Sequence, residues 1–172
     1  MNGTNLTEYI SMVRNGDKAA FAQIYNDLKT PVYTIILRIV QSVDVAEDVT
    51  QDVFVKLFTS PPDSSVRNPR AWIFRMARNL AIDALRKRKH TDIDDESLAD
   101  SDQYESIISR IDIEKAMARL PEQERDIVSL HLTAELTFGE IAGIVGLSVP
   151  STYRRYRSAI KALRDELNGG LL

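Results

Sequence analysis

A chain of 172 residues can hold one medium domain or two small ones, each near the size where core burial only just exceeds conformational entropy. Its 44% hydrophobic and 27% charged residues, with seven glycines and six prolines, exclude disordered and fibrous chains, and its formal net charge of -3 argues against a protein that coats nucleic acid indiscriminately. Cysteine is absent, which excludes disulfides, thiolate metal sites and thiol switches and suits a reducing cytosol.

The stretch Met1-Asn2-Gly3-Thr4-Asn5 has no basic segment leading into an apolar one, and the longest apolar run, residues 32–40, is broken by Arg38. Neither an export signal nor membrane insertion is expected, and the protein reads as cytoplasmic. Apolar residues recur at three- and four-residue spacing, with no sustained alternation of the kind strands need, so the fold class is all-α. Groups at Phe21, Ile24, Tyr25 and Leu28, then at Val32, Ile35, Ile36 and Ile39, predict the first helical segments. The next, DVAEDVTQDVFVKLF (44–58), hides Val45, Val49, Val53 and Leu57 and leaves Asp44, Asp48, Gln51, Asp52 and Val55 on its other face. Such a polar stripe by itself means only solvent.

A turn-rich break, Ser60-Pro61-Pro62-Asp63-Ser64-Ser65, precedes a helix over 68–89. Its pattern buries Ile73, Met76, Ala77, Leu80 and Ala84 and exposes Arg75, Arg78 and Arg86. Between Arg67 and Lys89, eight Lys or Arg residues face a single acid, Asp83. Residues 1–90 are therefore expected to form one small helical bundle with a basic element. From 91 to 106 the composition turns to Asp, Glu and Ser (Asp92, Asp94, Asp95, Glu96, Asp100, Asp102 and Glu105) with no basic residue, predicting a solvated acidic linker. Such a linker, 16 residues long, would have an r.m.s. reach of about 22 Å and a full extension of about 55 Å.

Helical periodicity returns at Ile107, Ile108, Ile111, Ala116, Met117 and Leu120, restarts after Pro121 and continues to Leu167, so 107–172 is a second small helical domain. Its most specific segment is TFGEIAGIVGLSVPSTYRRYRSAIKAL (137–163). Thr137 and Glu140 form a capping box opening a short helix that buries Phe138, Ile141, Ala142 and Val145. Gly146 ends it in the left-handed conformation, Leu147 plugs the corner, and Ser148 caps a new helix with Pro150 in its first turn. At about 100° per residue, Val149, Tyr153, Tyr156, Ile160, Leu163 and Leu167 share the inner side of that helix, while Ser151, Arg154, Arg155 and Ser158 face away. A helix-turn-helix with an exposed basic and hydroxylic face is suited to reading the major groove.

Four segments, AEDVTQDVF, NPRAWIFRMARNLAIDALRKRK, LPEQERDIV (120–128) and the helix-turn-helix, stand in the order seen in extracytoplasmic-function sigma factors, and over 16–167 the chain resembles that family. The resemblance implies two helical domains. The first would bind core RNA polymerase and the minus-ten promoter element, and the second would read the minus-thirty-five element. It implies promoter-specific initiation including melting, contacts with the largest-subunit clamp and the flap of the polymerase, and an anti-sigma partner. The sequence itself carries no nucleophile-base pairing, Gly-rich phosphate loop or metal-spaced His cluster, so neither a cofactor nor enzymatic activity is expected. By position, Asp48, Gln51 and Asp52 resemble the core-binding surface. Arg75, Arg78, Asn79, Arg86 and Arg88 resemble the residues that hold minus-ten DNA, and 60–68 the loop that captures an unstacked base. Ser151, Arg154, Arg155 and Ser158 fall on the minus-thirty-five reader. Trp72 is expected in the core rather than as a strand-separating wedge. Pro150-Ser151, where Gly-Thr is frequent, and the bulky Tyr153 and Tyr156 depart from the family's pattern, so promoter preference does not transfer.

Two rival functions remain. A free-standing helix-turn-helix repressor would bind a palindrome as a dimer without polymerase. A magnesium-dependent nucleotide hydrolase would use Glu47, Asp48 and Asp52 at one-turn spacing, but it needs a second acidic helix facing the first. His90 and His131 are isolated and are expected to be surface or core residues.

Overall fold

The computed structural model describes residues 3–91 and 108–169; the predicted acidic linker falls almost wholly outside them. Among the described residues there are eight helices and no strand, in two compact units that divide between Thr91 and Asp92.

The first unit packs α1 (Gly3–Arg14), α2 (Lys18–Val40), α3 (Val43–Thr59) and α4 (Pro69–Thr91). The periodicity reading missed α1. Its inner face is only three residues wide, Leu6, Ile10 and Val13, all buried and packed toward α2 and α4. A loop over 15–17 then turns the chain, with Gly16 at φ 86° and Asp17 as N-cap, its carboxylate accepting from the amides of Ala19 (2.8 Å) and Ala20 (3.0 Å).

The two expected apolar groups at 21–28 and 32–39 belong to one helix, α2, which carries Pro31 in its interior. An interior proline removes one ladder bond and costs about 3 kcal/mol. The helix continues because Ile24, Leu28, Val32, Ile35, Ile36 and Ile39 form one unbroken buried stripe across the proline, and burial of each such side chain contributes about 1.5–3 kcal/mol. It ends at Gln41, a left-handed C-cap at φ 53° whose amide donates to the Leu37 carbonyl.

In α3 the buried set is Ala46, Val49, Thr50, Val53, Phe54 and Leu57. Val45 is half-buried rather than hidden. Thr50 can be buried because its hydroxyl donates to the Ala46 carbonyl at 2.6 Å. In α4 the deepest residues are Ile73, Phe74, Ala77 and Ala81, while Met76, Leu80 and Ala84 are half-buried.

The second unit is built from α5 (Ile108–Arg119), α6 (Glu122–Leu132), α7 (Phe138–Val145) and α8 (Val149–Gly169). The last helix is the hub, packing on each of the other three. Its core joins Met117, Leu120, Val128 and Ala159, with Tyr156, Ile160 and Leu163 against them. Arg119 of α5 pairs with Glu166 of α8 at the surface, where such a pair adds little stability. No described helix is long and apolar enough to cross a membrane.

Candidate polymerase and nucleic-acid interfaces

The outer face of α3 carries Asp44, Asp48, Gln51, Asp52 and Val55, all exposed, because Val49, Val53 and Leu57 pull the opposite side into the bundle. Asp48, Gln51 and Asp52 are thus brought together on one surface. Beside them is a feature the periodicity reading did not reveal. Phe21, Tyr25, Lys29 and Tyr33 follow one another at one-turn spacing along α2, and with Thr50, Gln51, Phe54, Val55 and Phe58 of α3 they line a groove of about 810 Å³. Phe21 and Tyr25, which the apolar pattern grouped with core positions, are half-buried.

The groove's rings brace one another: Phe21 meets Phe58 edge-on at 5.0 Å, and Tyr25 meets Phe54 at 4.8 Å. Val55 and Phe58 stay 52% and 39% exposed at its rim. Gln51 and Val55 belong both to this groove and to the polar stripe, so the two form one continuous surface.

On α4, Arg75, Asn79 and Arg86 are exposed and fall within about 40° of one another at 100° per residue, with Arg78 half-buried on the flank. Arg88 does not share that face. It lies on the angular side of Ala77 and Ala81 and is exposed near the helix C-terminus. Trp72 is half-buried rather than in the core, and its helical angle places it beside Arg75 and Asn79. The preceding loop is pinned at Asp63, whose carboxylate accepts from both the hydroxyl and the amide of Ser65. Those two hydrogen bonds, the hydroxyl's first, hold the Asp63 pKa below the ordinary carboxylate value. The loop closes where the Asn68 side chain accepts from the Ala71 amide at 3.0 Å, opening α4.

In the second unit the helix-turn-helix has the expected local chemistry. The Thr137 hydroxyl accepts from the Glu140 amide at 3.4 Å, and the Glu140 carboxylate accepts from the Thr137 amide at 2.8 Å. Gly146 takes φ 72°. The Ser148 hydroxyl accepts from the Ser151 amide at 3.3 Å and donates to the Ser151 hydroxyl at 2.9 Å, and Arg154 Nη2 donates to that same hydroxyl at 3.1 Å. Ser148, Ser151 and Arg154 therefore form one chain along the start of α8 that orients the guanidinium. Ser151, Arg154, Arg155 and Ser158 line a shallow groove together with Leu147 and with Glu124 of α6, an acid the reading of the second helix did not include.

The inner side of α8 differs from the expected one. Thr152 and Ala159 are fully buried, with Tyr156, Ile160 and Leu163 beside them, whereas Val149, Tyr153 and Leu167 are exposed. The buried stripe is rotated so that Thr152 and Ala159, two small residues, lie deepest. Thr152 can lie there since its hydroxyl donates to the Ser148 carbonyl at 3.0 Å. Phe138 and Val145 of α7 are half-buried, with Ile144 buried instead. His131 is half-buried: Nδ1 donates to the Leu136 carbonyl at 2.9 Å, and the ring stacks on Phe138 at 4.5 Å. Among the described residues no three His, Asp or Glu side chains are grouped so as to hold a metal ion, Glu47, Asp48 and Asp52 included.

Comparison with known proteins places names on these two units. Residues 24–91 match Sigma-70 region 2, and residues 110–163 match Sigma-70 region 4. The ECF RNA polymerase sigma factor SigW of Bacillus subtilis is 27% identical, the match covering 92% of this chain and 94% of that one. The ECF sigma factor RpoE of Cereibacter sphaeroides is 29% identical, with 94% and 96% covered. The sigma factor RpoE of Bartonella quintana, solved in complex with the anti-sigma factor NepR, superposes with a TM-score of 0.70 at 25% identity, over 86% of this chain and 96% of that one. CnrH, solved with the cytosolic domain of CnrY, gives a TM-score of 0.71 at 20% identity over 96% and 98%, a likeness of fold. With both regions present in order over nearly the full length, the chain belongs to the extracytoplasmic-function sigma factors of the sigma-70 family.

Proposed function

We propose that this sigma factor docks on core RNA polymerase through the outer face of α3, with Asp48, Gln51 and Asp52 as its polar contacts and the adjoining aromatic groove as its apolar one. Promoter DNA is then held at two places. Arg75, Arg78, Asn79, Arg86 and Arg88 of α4 take the minus-ten element, and Ser151, Arg154, Arg155 and Ser158 of α8 read the minus-thirty-five element. Residues 1–90 and 107–172 act as the two domains, and the acidic stretch 91–106 joins them. The chain supplies recognition and melting, while the polymerase supplies the chemistry, in the cytoplasm where both reside.

The observation that carries this reading is an exposed basic helix face in each of the two family-matched regions of one chain. Basic faces attract phosphate in a salt-dependent way, and tethering both to one polymerase makes the second contact effectively intramolecular, so weak reading by each suffices. An anti-sigma factor belongs among the partners by likeness to the relative solved with one. The clamp of the largest subunit and the flap are the expected docking points on the polymerase.

The test is run-off transcription from a pool of genomic fragments by core polymerase, with and without the full chain. New discrete start sites are expected, and they are expected to vanish with an Asp48/Gln51/Asp52 triple-alanine variant. No new starts, combined with tight binding of the chain alone to duplex DNA, would replace this reading with that of a free-standing repressor.

A further inference from the structure

We propose that Tyr153 is a base-reading residue that contacts the 5-methyl group of a thymine in the minus-thirty-five element. The inference rests on the assignment of α8 as the minus-thirty-five reader and deepens it. Hydrophobic spacing placed Tyr153 in the core; the structure leaves it 47% exposed, in the second turn of α8 and one position before Arg154.

Val149, four residues earlier, is 48% exposed, and Arg157, four residues later, is exposed as well. Val149, Tyr153 and Arg157 thus form a second outward row, apolar then cationic, beside the polar set of Ser151, Arg154, Arg155 and Ser158. At 100° per residue the two rows adjoin where Arg157 and Arg154 lie about 60° apart, and a helix that enters a major groove by its N-terminal turns presents that shared edge, with Tyr153 on one side of it, to base edges. Guanidinium and hydroxyl groups pair with acceptors there, whereas the one apolar group in the major groove is the thymine methyl.

The ring is also held in place. Phe138 of α7 meets Tyr153 edge-on at 5.3 Å and 81°, and Phe138 is itself stacked on His131 at 4.5 Å and edge-on to the core-packed Tyr156 at 5.1 Å. The chain of rings runs from the core to the surface, so the inner edge of Tyr153 is fixed and its outer edge is aimed before DNA arrives. A side chain that only completed the core would be expected to lie against Met117, Leu120 and Val128 as Tyr156 does. Tyr153 is a base-contacting specificity determinant, and Phe138 is the residue that positions it.

The experiment uses the full chain bound to core polymerase. A preferred minus-thirty-five element is first selected from duplexes randomised at that position. Each thymine in it is then replaced singly by deoxyuridine, which lacks only the methyl group. At one position the replacement should weaken promoter binding about fourfold, the effect of one buried methyl. That sensitivity should persist in Tyr153→Phe and disappear in Tyr153→Ala, whose fold is checked by its melting curve. A selected element with no methyl-sensitive position would overturn the inference, as would equal methyl sensitivity in Tyr153→Ala. So would loss of that sensitivity in Tyr153→Phe, which would trace it to the hydroxyl rather than to the apolar ring. No selected element at all would instead remove the assignment of α8 as the reader.

Discussion

Gly146 takes the left-handed turn between α7 and α8 at φ 72°, and an added Cβ there would meet nothing within 4 Å. Gly146→Ala therefore meets no clash but imposes the conformational penalty of an L-residue in that region, about 1–2 kcal/mol. The second unit should melt several degrees lower, with Gly146→Asn recovering part of the loss; calorimetry would check both. Arg154 shows the same local logic in a functional position. Its guanidinium is oriented by the Ser151 hydroxyl at 3.1 Å, so Ser151 acts on DNA partly through Arg154. Arg154→Ala should cost about 1–3 kcal/mol of discrimination at one base pair. Ser151→Ala should weaken the same base preference less while leaving the melting temperature of the full chain nearly unchanged. Competition binding of polymerase-bound chain to single-substitution promoters reads both. This much was legible in the sequence, because a capping box, a left-handed glycine and a serine cap are chemistry among neighbours in the chain.

At the scale of the element the sequence was legible only in part. It pointed to α3, α4 and the helix pair α7 and α8, and to the polar stripe on α3. It did not reveal α1, whose three inward residues, Leu6, Ile10 and Val13, are too few to stand out as a periodic pattern. It also turned the inner face of α8 the wrong way, since a hydrophobic wheel follows Val149 and Tyr153, whereas the fold buries Thr152 and Ala159. Whether a large apolar residue on a helix is core or contact depends on how near the neighbouring helix comes, and that is a tertiary quantity. The aromatic groove between α2 and α3 escaped for the same reason: its rings look like core until two helices leave them half-covered. The exposure of the α3 face gives a sharp expectation. Asp48, Gln51 and Asp52 are all exposed, so their joint replacement by alanine should leave the melting temperature within a few degrees of the parent while core polymerase binding falls at least tenfold in a titration. A large fall in melting temperature would instead assign those residues to the fold.

For the whole molecule the informative quantity is where the charge lies. Seven acids sit between Asp92 and Glu105 with no basic residue. Setting them aside leaves 18 acids against 22 Lys and Arg, so the net -3 of the chain becomes +4 outside that stretch. A polyanionic tract on the same chain as two basic readers competes with phosphate for them, and the competition is strong only within a Debye length of about 10 Å at 0.1 M salt. The same tract, were it threaded along a positively charged nucleic-acid channel of the polymerase, would instead add to core binding. Replacing the seven acids with Asn and Ser should therefore move two affinities in opposite directions. Binding of the chain alone to duplex DNA should tighten at low salt, and binding to core polymerase should weaken. Fluorescence titrations of both, repeated across salt, distinguish this from a folding defect, which would weaken the two together. Unchanged core affinity would remove the channel role while leaving the competition with phosphate intact. Only the first effect would then remain to explain why a DNA-reading protein carries more acids than bases.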